Sequence, residues 1–188
     1  MATADGLQPL SPPEERAWRS LIRLIVALPR AIDEDLTRRS GLGLTRYVVL
    51  MRLSEAPDHA LRMTELAQAA SISPSRMTRV IQSMTAEGLV TRQVVVDDAR
   101  ASLATLTDAG MERLREAWPA HLAGVRNFVL DHIAGEELAD FTRVTERLLR
   151  AAESASGGRL EVCLESGDEV DGGTAPHLDA VRDPVTSG

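Results

Sequence analysis

Residues 64–107, TELAQAASISPSRMTRVIQSMTAEGLVTRQVVVDDARASLATLT, decide how the rest of the chain is read. They divide into a short helix over about 64–70, a tight turn, a second helix over about 73–87, and two strands joined by a polar tip. Ser73 is placed to cap the second helix, because its hydroxyl can accept from a free amide of the first turn. Pro74 fits the first helical position, where its missing N–H would have no partner. Met77, Val80, Ile81 and Met84 follow at three- and four-residue spacing and form one apolar stripe. Gly88 closes the helix as a left-handed residue. The run LVTRQVVV over 89–96 is rich in β-branched side chains, and LATLT over 103–107 is the returning strand. Asp97, Asp98, Ala99 and Arg100 make the tip.

Two helices followed at once by a hairpin read as a winged helix-turn-helix, which lays its second helix in a DNA major groove. Opposite the apolar stripe stand hydroxyls, guanidiniums and an amide, groups that donate to phosphates and read base edges. The candidate DNA contacts are therefore Ser73, Ser75, Arg76, Thr78, Arg79 and Gln82 on the helix, Arg92 on the first strand and Arg100 on the tip. A long cation at the end of a ribbon suits a minor groove, where negative potential is concentrated. Phosphates would repel Asp98, so it is assigned to orienting the wing. On an arbitrary helix Arg76 and Arg79 would be solvated surface cations. Their place on the outer face of the second helix favours DNA.

The same residues carry a family resemblance. GLVTR at Gly88–Arg92, then Asp98 and Arg100, then LTxxG at Leu106–Gly110 resemble the MarR family of bacterial transcriptional regulators. The likeness extends over most of 15–152, through a long first helix, Leu44, Thr45, Val49 and Leu50 in the second, Glu65–Ala67 in the third, and two closing helices. The resemblance implies a mainly α fold with a small β-wing, whose N- and C-terminal helices form a dimerisation region. It also implies an obligate homodimer on a pseudo-palindromic double-stranded DNA operator, usually a repressor released by a small aromatic or phenolic effector, with no cofactor. Trp18, Arg46 and Tyr47, where the first two helices meet the dimer scaffold, become ligand-binding candidates on this basis. Packing accounts equally well for Trp18 and Tyr47. The chain departs from the family pattern in two ways. Gln82 and Ser83 stand where an Asp-Arg pair commonly helps to hold the wing's Asp, which leaves Asp98 to Arg92 or Arg100. Ser71 stands at the turn position where the family often has Gly.

Composition agrees with a helical body. In 188 residues, 44% are hydrophobic and only 3% aromatic, so the core is built from aliphatic side chains. The net charge of −7 is unusual for a protein that neutralises phosphates, but its distribution answers much of the objection. Residues 153–188 hold eight acids and two arginines, a net −6, which leaves −1 for the other 152 residues. Across the reading helix and first strand, Arg76, Arg79 and Arg92 meet only Glu87.

Outside the central stretch, residues 1–10 read as disordered and 11–153 as one winged-helix domain. Its DNA-binding core is 44–107, and its dimerisation helices are 11–40 and 107–153. Ser11-Pro12-Pro13-Glu14 starts a helix with a capping box. Leu21, Leu24, Ile25, Leu28, Ile32 and Leu36 continue it, with Pro29 expected to kink or split it. The second helix begins at Thr45 and stops at Ala56-Pro57-Asp58. Thr107 caps a fifth helix with Met111, Leu114, Trp118, Leu122, Val125, Phe128 and Val129 on its stripe, and a sixth follows Gly135. The first, fifth and sixth helices present more apolar surface than one small core can cover, which a second copy would bury. Residues 154–188 read as an acidic disordered tail.

No long apolar run and no signal peptide are visible, so the expected location is the cytoplasm. The single cysteine, Cys163, excludes an intrachain disulfide. His121 and His132 lie eleven residues apart and His59 sits in a loop, which is no metal-ligand spacing, so no metal is expected. No nucleophile–base pair, carboxylate pair or phosphate-cradling glycine loop is recognisable, which argues against an enzyme. The alternative of a different class is a winged-helix protein-interaction module that has lost DNA binding, favoured by the net acidity and the residues at 82 and 83.

Overall fold

The computed structural model describes residues 8–95 and 98–156, with the backbone alone at 94, 95, 98–101 and 156. Helix α1 spans Pro12–Ser40. The Glu14 carboxylate accepts from the Ser11 amide at 2.7 Å and from its hydroxyl at 2.6 Å, which holds the first turn. The helix runs unbroken through Pro29, so the expected split does not occur. Pro29 is exposed, and water can satisfy the carbonyl that its missing N–H leaves free. Gly41 ends α1 in the left-handed region (φ 70°), with its amide donating to Thr37 O at 2.8 Å.

Helix α2 spans Leu44–Glu55, one residue ahead of the expected start, with the Asp33 carboxylate accepting from the Leu44 amide at 2.6 Å. It sends Tyr47, Val49, Leu50 and Leu53 into the core. A short strand, β1 (Ala60–Arg62), then leads into α3 (Met63–Ala69). The turn to α4 (Pro74–Ala86) passes through Ser71 at φ 51°, so the left-handed conformation is held there without glycine. Strands β2 (Val90–Val95) and β3 (Asp98–Leu106) complete an antiparallel sheet of order β1-β3-β2. Ala60 pairs with Thr105, and Val90 with Leu106. Strand β1 has no strong pattern of its own and forms because β3 offers it an edge.

Helix α5 (Asp108–Phe128) is tied to the sheet at its first turn. The Thr107 hydroxyl accepts from the Gly110 amide at 3.0 Å and donates to Gly88 O at 2.7 Å and Leu89 O at 2.9 Å. Gly110 rests on that same backbone, where a Cβ would fall 2.1 Å from Leu89 O. LTxxG therefore has a steric basis in this chain: a buried leucine, a cap that latches the wing to α4, and a glycine that admits the contact.

The core gathers Leu36 and Leu42, the inward residues of α2, Leu66 and Ala67 of α3, Met77, Ile81 and Met84 of α4, Val90, Ala104, and Leu114 and Ala117 of α5. Helix α6 (Leu138–Ser156) lies outside it and packs substantially only on the single turn before it. Residues 8–10 are exposed and without regular structure; residues 1–7, and the expected tail from 157 onward with Cys163, lie outside the described residues.

Candidate nucleic-acid interface

Helix α4 is built with two distinct sides. Met77, Ile81 and Met84 are fully buried and Val80 packs partly against them, which fixes the helix rotationally. Ser73 caps it, accepting from the Arg76 amide at 3.4 Å, and lies 3.2 Å from the Ser75 hydroxyl. Ser75, Arg76, Arg79, Gln82 and Ser83 are left exposed. Arg76 and Arg79 form no ion pair with another described residue, so their guanidiniums are available to an anionic partner. Thr78 differs from the others: it is half-buried and its hydroxyl donates to Pro74 O at 3.0 Å.

The wing is partly described. Arg92 is exposed on β2 and its Nη2 donates to Ser102 Oγ across the ribbon at 3.0 Å, a partner the sequence did not suggest. The expected tip at 97–100 is corrected, because Asp98 to Arg100 have strand backbone in β3 and Asp98 pairs with Val95. The pairing register shifts between Val94 and Val95, which lengthens one side of the hairpin relative to the other. Asp97 and the side chains of Asp98 and Arg100 lie outside the described residues.

Behind α4 lies a polar group that the sequence reading missed. Glu87, at the C-terminal cap of α4, accepts from Ser83 Oγ at 3.1 Å and from Arg46 Nη2 on α2. The Arg46 hydrogen bond holds the Glu87 carboxyl below its ordinary pKa, and the charge of Arg113 on α5 acts in the same direction. Arg113 in turn donates from Nη2 to Ser40 O at the end of α1. No local pattern could have announced this pairing, since 41 residues separate Arg46 from Glu87.

The three ligand candidates are not gathered in one place. Tyr47 is fully buried and stacks on His121 of α5, with ring centroids 4.2 Å apart; Trp118 is 6.2 Å from the same imidazole. Burial lowers the His121 pKa from its ordinary 6.5. Arg46 immediately precedes Tyr47 on α2 but is engaged with Glu87. Trp18 is 55% exposed and sits about 27 Å along α1 from Leu36, where that helix joins the core. His59 and His132 each lie within hydrogen-bond distance of a backbone carbonyl, Ser54 O at 3.1 Å and Asn127 O at 2.9 Å. No described helix is long and apolar enough to cross a membrane.

Comparison with known proteins sets this geometry beside characterised ones. Residues 40–101 match the model of the MarR family. The chain is 29% identical over 104 residues to the HTH-type transcriptional repressor YetL of Bacillus subtilis, and the match covers 55% of this chain but only 62% of that protein. It is 32% identical over 108 residues to the HTH-type transcriptional repressor Rv2887 of Mycobacterium tuberculosis, covering 57% of this chain and 76% of Rv2887. Rv2887 has been solved in complex with p-aminosalicylic acid, and that structure is similar with a TM-score of 0.55 at 29% identity, covering 69% of this chain and 95% of that one. Sco3205, a MarR family transcriptional regulator of Streptomyces coelicolor solved in complex with DNA, is similar with a TM-score of 0.72 at 32% identity, covering 84% of this chain and 98% of that one.

Proposed function

This chain belongs to the MarR family, and from that premise we propose that it is a sequence-specific DNA-binding transcriptional repressor that acts as a homodimer. The observation that carries the reading is the exposed face of α4, where Arg76, Arg79 and Gln82 make no ion pair with another described residue and stand on a helix locked by its buried side. On this reading α4 enters the major groove, where Arg79 and Gln82 read base edges while Ser73, Ser75 and Arg76 bind phosphates. Thr78, back-bonded to its own helix, shapes the surface more than it donates. Arg92 approaches the backbone beside the groove, Arg100 reaches the adjoining minor groove, and Asp98 orients the wing. Such a protein works beside the chromosome in the bacterial cytoplasm, and regulation of this kind requires neither a cofactor nor a catalytic residue of its own.

The homodimer follows from the apolar surface. Trp18, Ile22, Ile25 and Val26 on α1 and Leu138, Phe141, Val144 and Leu148 on α6 are all more than one-third exposed. A second copy covers them and sets the two α4 helices on half-sites about 10 base pairs apart, one helical turn. A small aromatic or phenolic effector, of the kind that p-aminosalicylic acid represents in Rv2887, then releases DNA by favouring a subunit spacing that mismatches the half-sites. Arg46 and Tyr47 lie where such a molecule would act on α2 and α5, whereas Trp18 falls on the face given to the partner copy.

Selection from a random-sequence duplex library, followed by fluorescence anisotropy on the enriched duplex and a scrambled control at two salt concentrations, tests the reading. Enrichment of a two-fold related site bound in a salt-sensitive way is the expected result. A folded dimer that enriches no sequence would favour the interaction-module alternative.

A further inference from the structure

The ion pair between Arg46 and Glu87 is placed against the local preferences of both helices that carry it. Arg46 is the third residue of α2, in a first turn without an acid, where the helix dipole disfavours a cation. Glu87 caps the C-terminus of α4, in a last turn without a base, where the dipole disfavours an anion. Neither charge is favoured where it stands until the other arrives from across the fold. The pair also sits at a mechanical junction. Through its backbone α4 packs closely on α3 and β2, whereas α2 and α5 meet it mainly through core side chains and this pair. Ser83 fixes one Glu87 oxygen from within α4, Arg46 takes the other, and Arg113, which holds the end of α1, adds its charge from α5.

We propose that Glu87 and Arg46 are positioning residues, which set the angle of the reading helix against the α1, α2 and α5 scaffold and so tune operator affinity without touching DNA. This rests on the DNA-binding reading above. Because the fit of two α4 helices to two grooves depends on their mutual angle, loosening one end of each lowers affinity for the paired site. It leaves the phosphate contacts unchanged.

The pair predicts an unusual rescue. Exchanging the charges, Arg46→Glu with Glu87→Arg, puts an acid at the start of α2 and a base at the end of α4, where both dipoles favour them. The double variant should fold about as well as the natural protein, because the gain at the two dipoles offsets the repulsion between an arginine at 87 and Arg113. Anisotropy on the duplex enriched by the natural protein is the readout, with thermal unfolding by circular dichroism alongside. Glu87→Gln and Arg46→Gln are expected to weaken operator binding about fivefold each while the slope of affinity against salt stays unchanged, and the exchange should recover most of the loss. Glu87→Gln binding as tightly as the natural protein, a shallower salt slope in either variant, or an exchange no better than Arg46→Glu alone would overturn the assignment. A natural protein that enriches no sequence would overturn the DNA-binding reading and this proposal together, whereas normal enrichment with unaffected variants removes the proposal alone.

Discussion

Arg79 and His121 are the two residues whose surroundings make the sharpest forecasts. Arg79 is exposed on a helix whose other side is fully buried, so its removal subtracts a contact without disturbing the core. Arg79→Ala should weaken operator binding by roughly tenfold or more, as expected for one lost base contact, while thermal unfolding stays within about a degree of the natural protein. Anisotropy and calorimetry together check both halves. His121 makes a different forecast, because its imidazole is stacked on buried Tyr47 and burial favours the neutral ring. The unfolded chain binds the proton more readily, so the contribution of this ring to stability is complete above about pH 6.5 and is lost as the pH falls below that value. His121→Phe keeps an aromatic ring on Tyr47 and removes the titration. Its melting temperature should therefore decline less than that of the natural protein between about pH 7.5 and 5.5.

At the scale of elements, the join between wing and α5 is the least forgiving contact described. Gly110 lies against a carbonyl oxygen that belongs to backbone, so a methyl group there forces α5 away from Leu89. Gly110→Ala should cost about 2–3 kcal/mol, the upper part of the usual cost of overpacking, and urea unfolding measures it. Much of this level was legible beforehand. The cap at Ser73, the proline at 74, the stripe through Met84 and the glycine at 88 each act within a few residues, and α4 lies within one residue of its expected bounds. Pro29 was read from local chemistry as well, yet α1 continues through it because that stretch faces solvent. The short strand β1 was missed, since three residues acquire a pairing partner only when β3 lies beside them.

For the whole molecule, the proposed dimer makes a forecast about assembly. Ile25 and Leu148 are 58% and 48% exposed, on helix faces that the described body leaves uncovered. Ile25→Asp or Leu148→Asp would place a charge in the subunit interface and should shift sedimentation toward monomer and lower the melting temperature at a given protein concentration. Operator affinity should fall with it, because one subunit engages one half-site. A variant that remains dimeric and binds normally would move the interface away from these faces.

The sequence by itself determined the order of the six helices and the two wing strands, the two-sided character of α4 and the family to which the chain belongs, because each depends on residues three or four apart or on short spacings within one contiguous stretch. Tertiary structure alone decided where Arg46 goes, what Arg92 touches, that Tyr47 and His121 stack, and why residue 110 has no side chain. Those facts depend on partners from distant segments, and the Arg46–Glu87 pair even runs against the preference of each helix taken alone. The local field is weak and falls off within a turn, so a direct contact between opposite charges outweighs it once the fold brings them together.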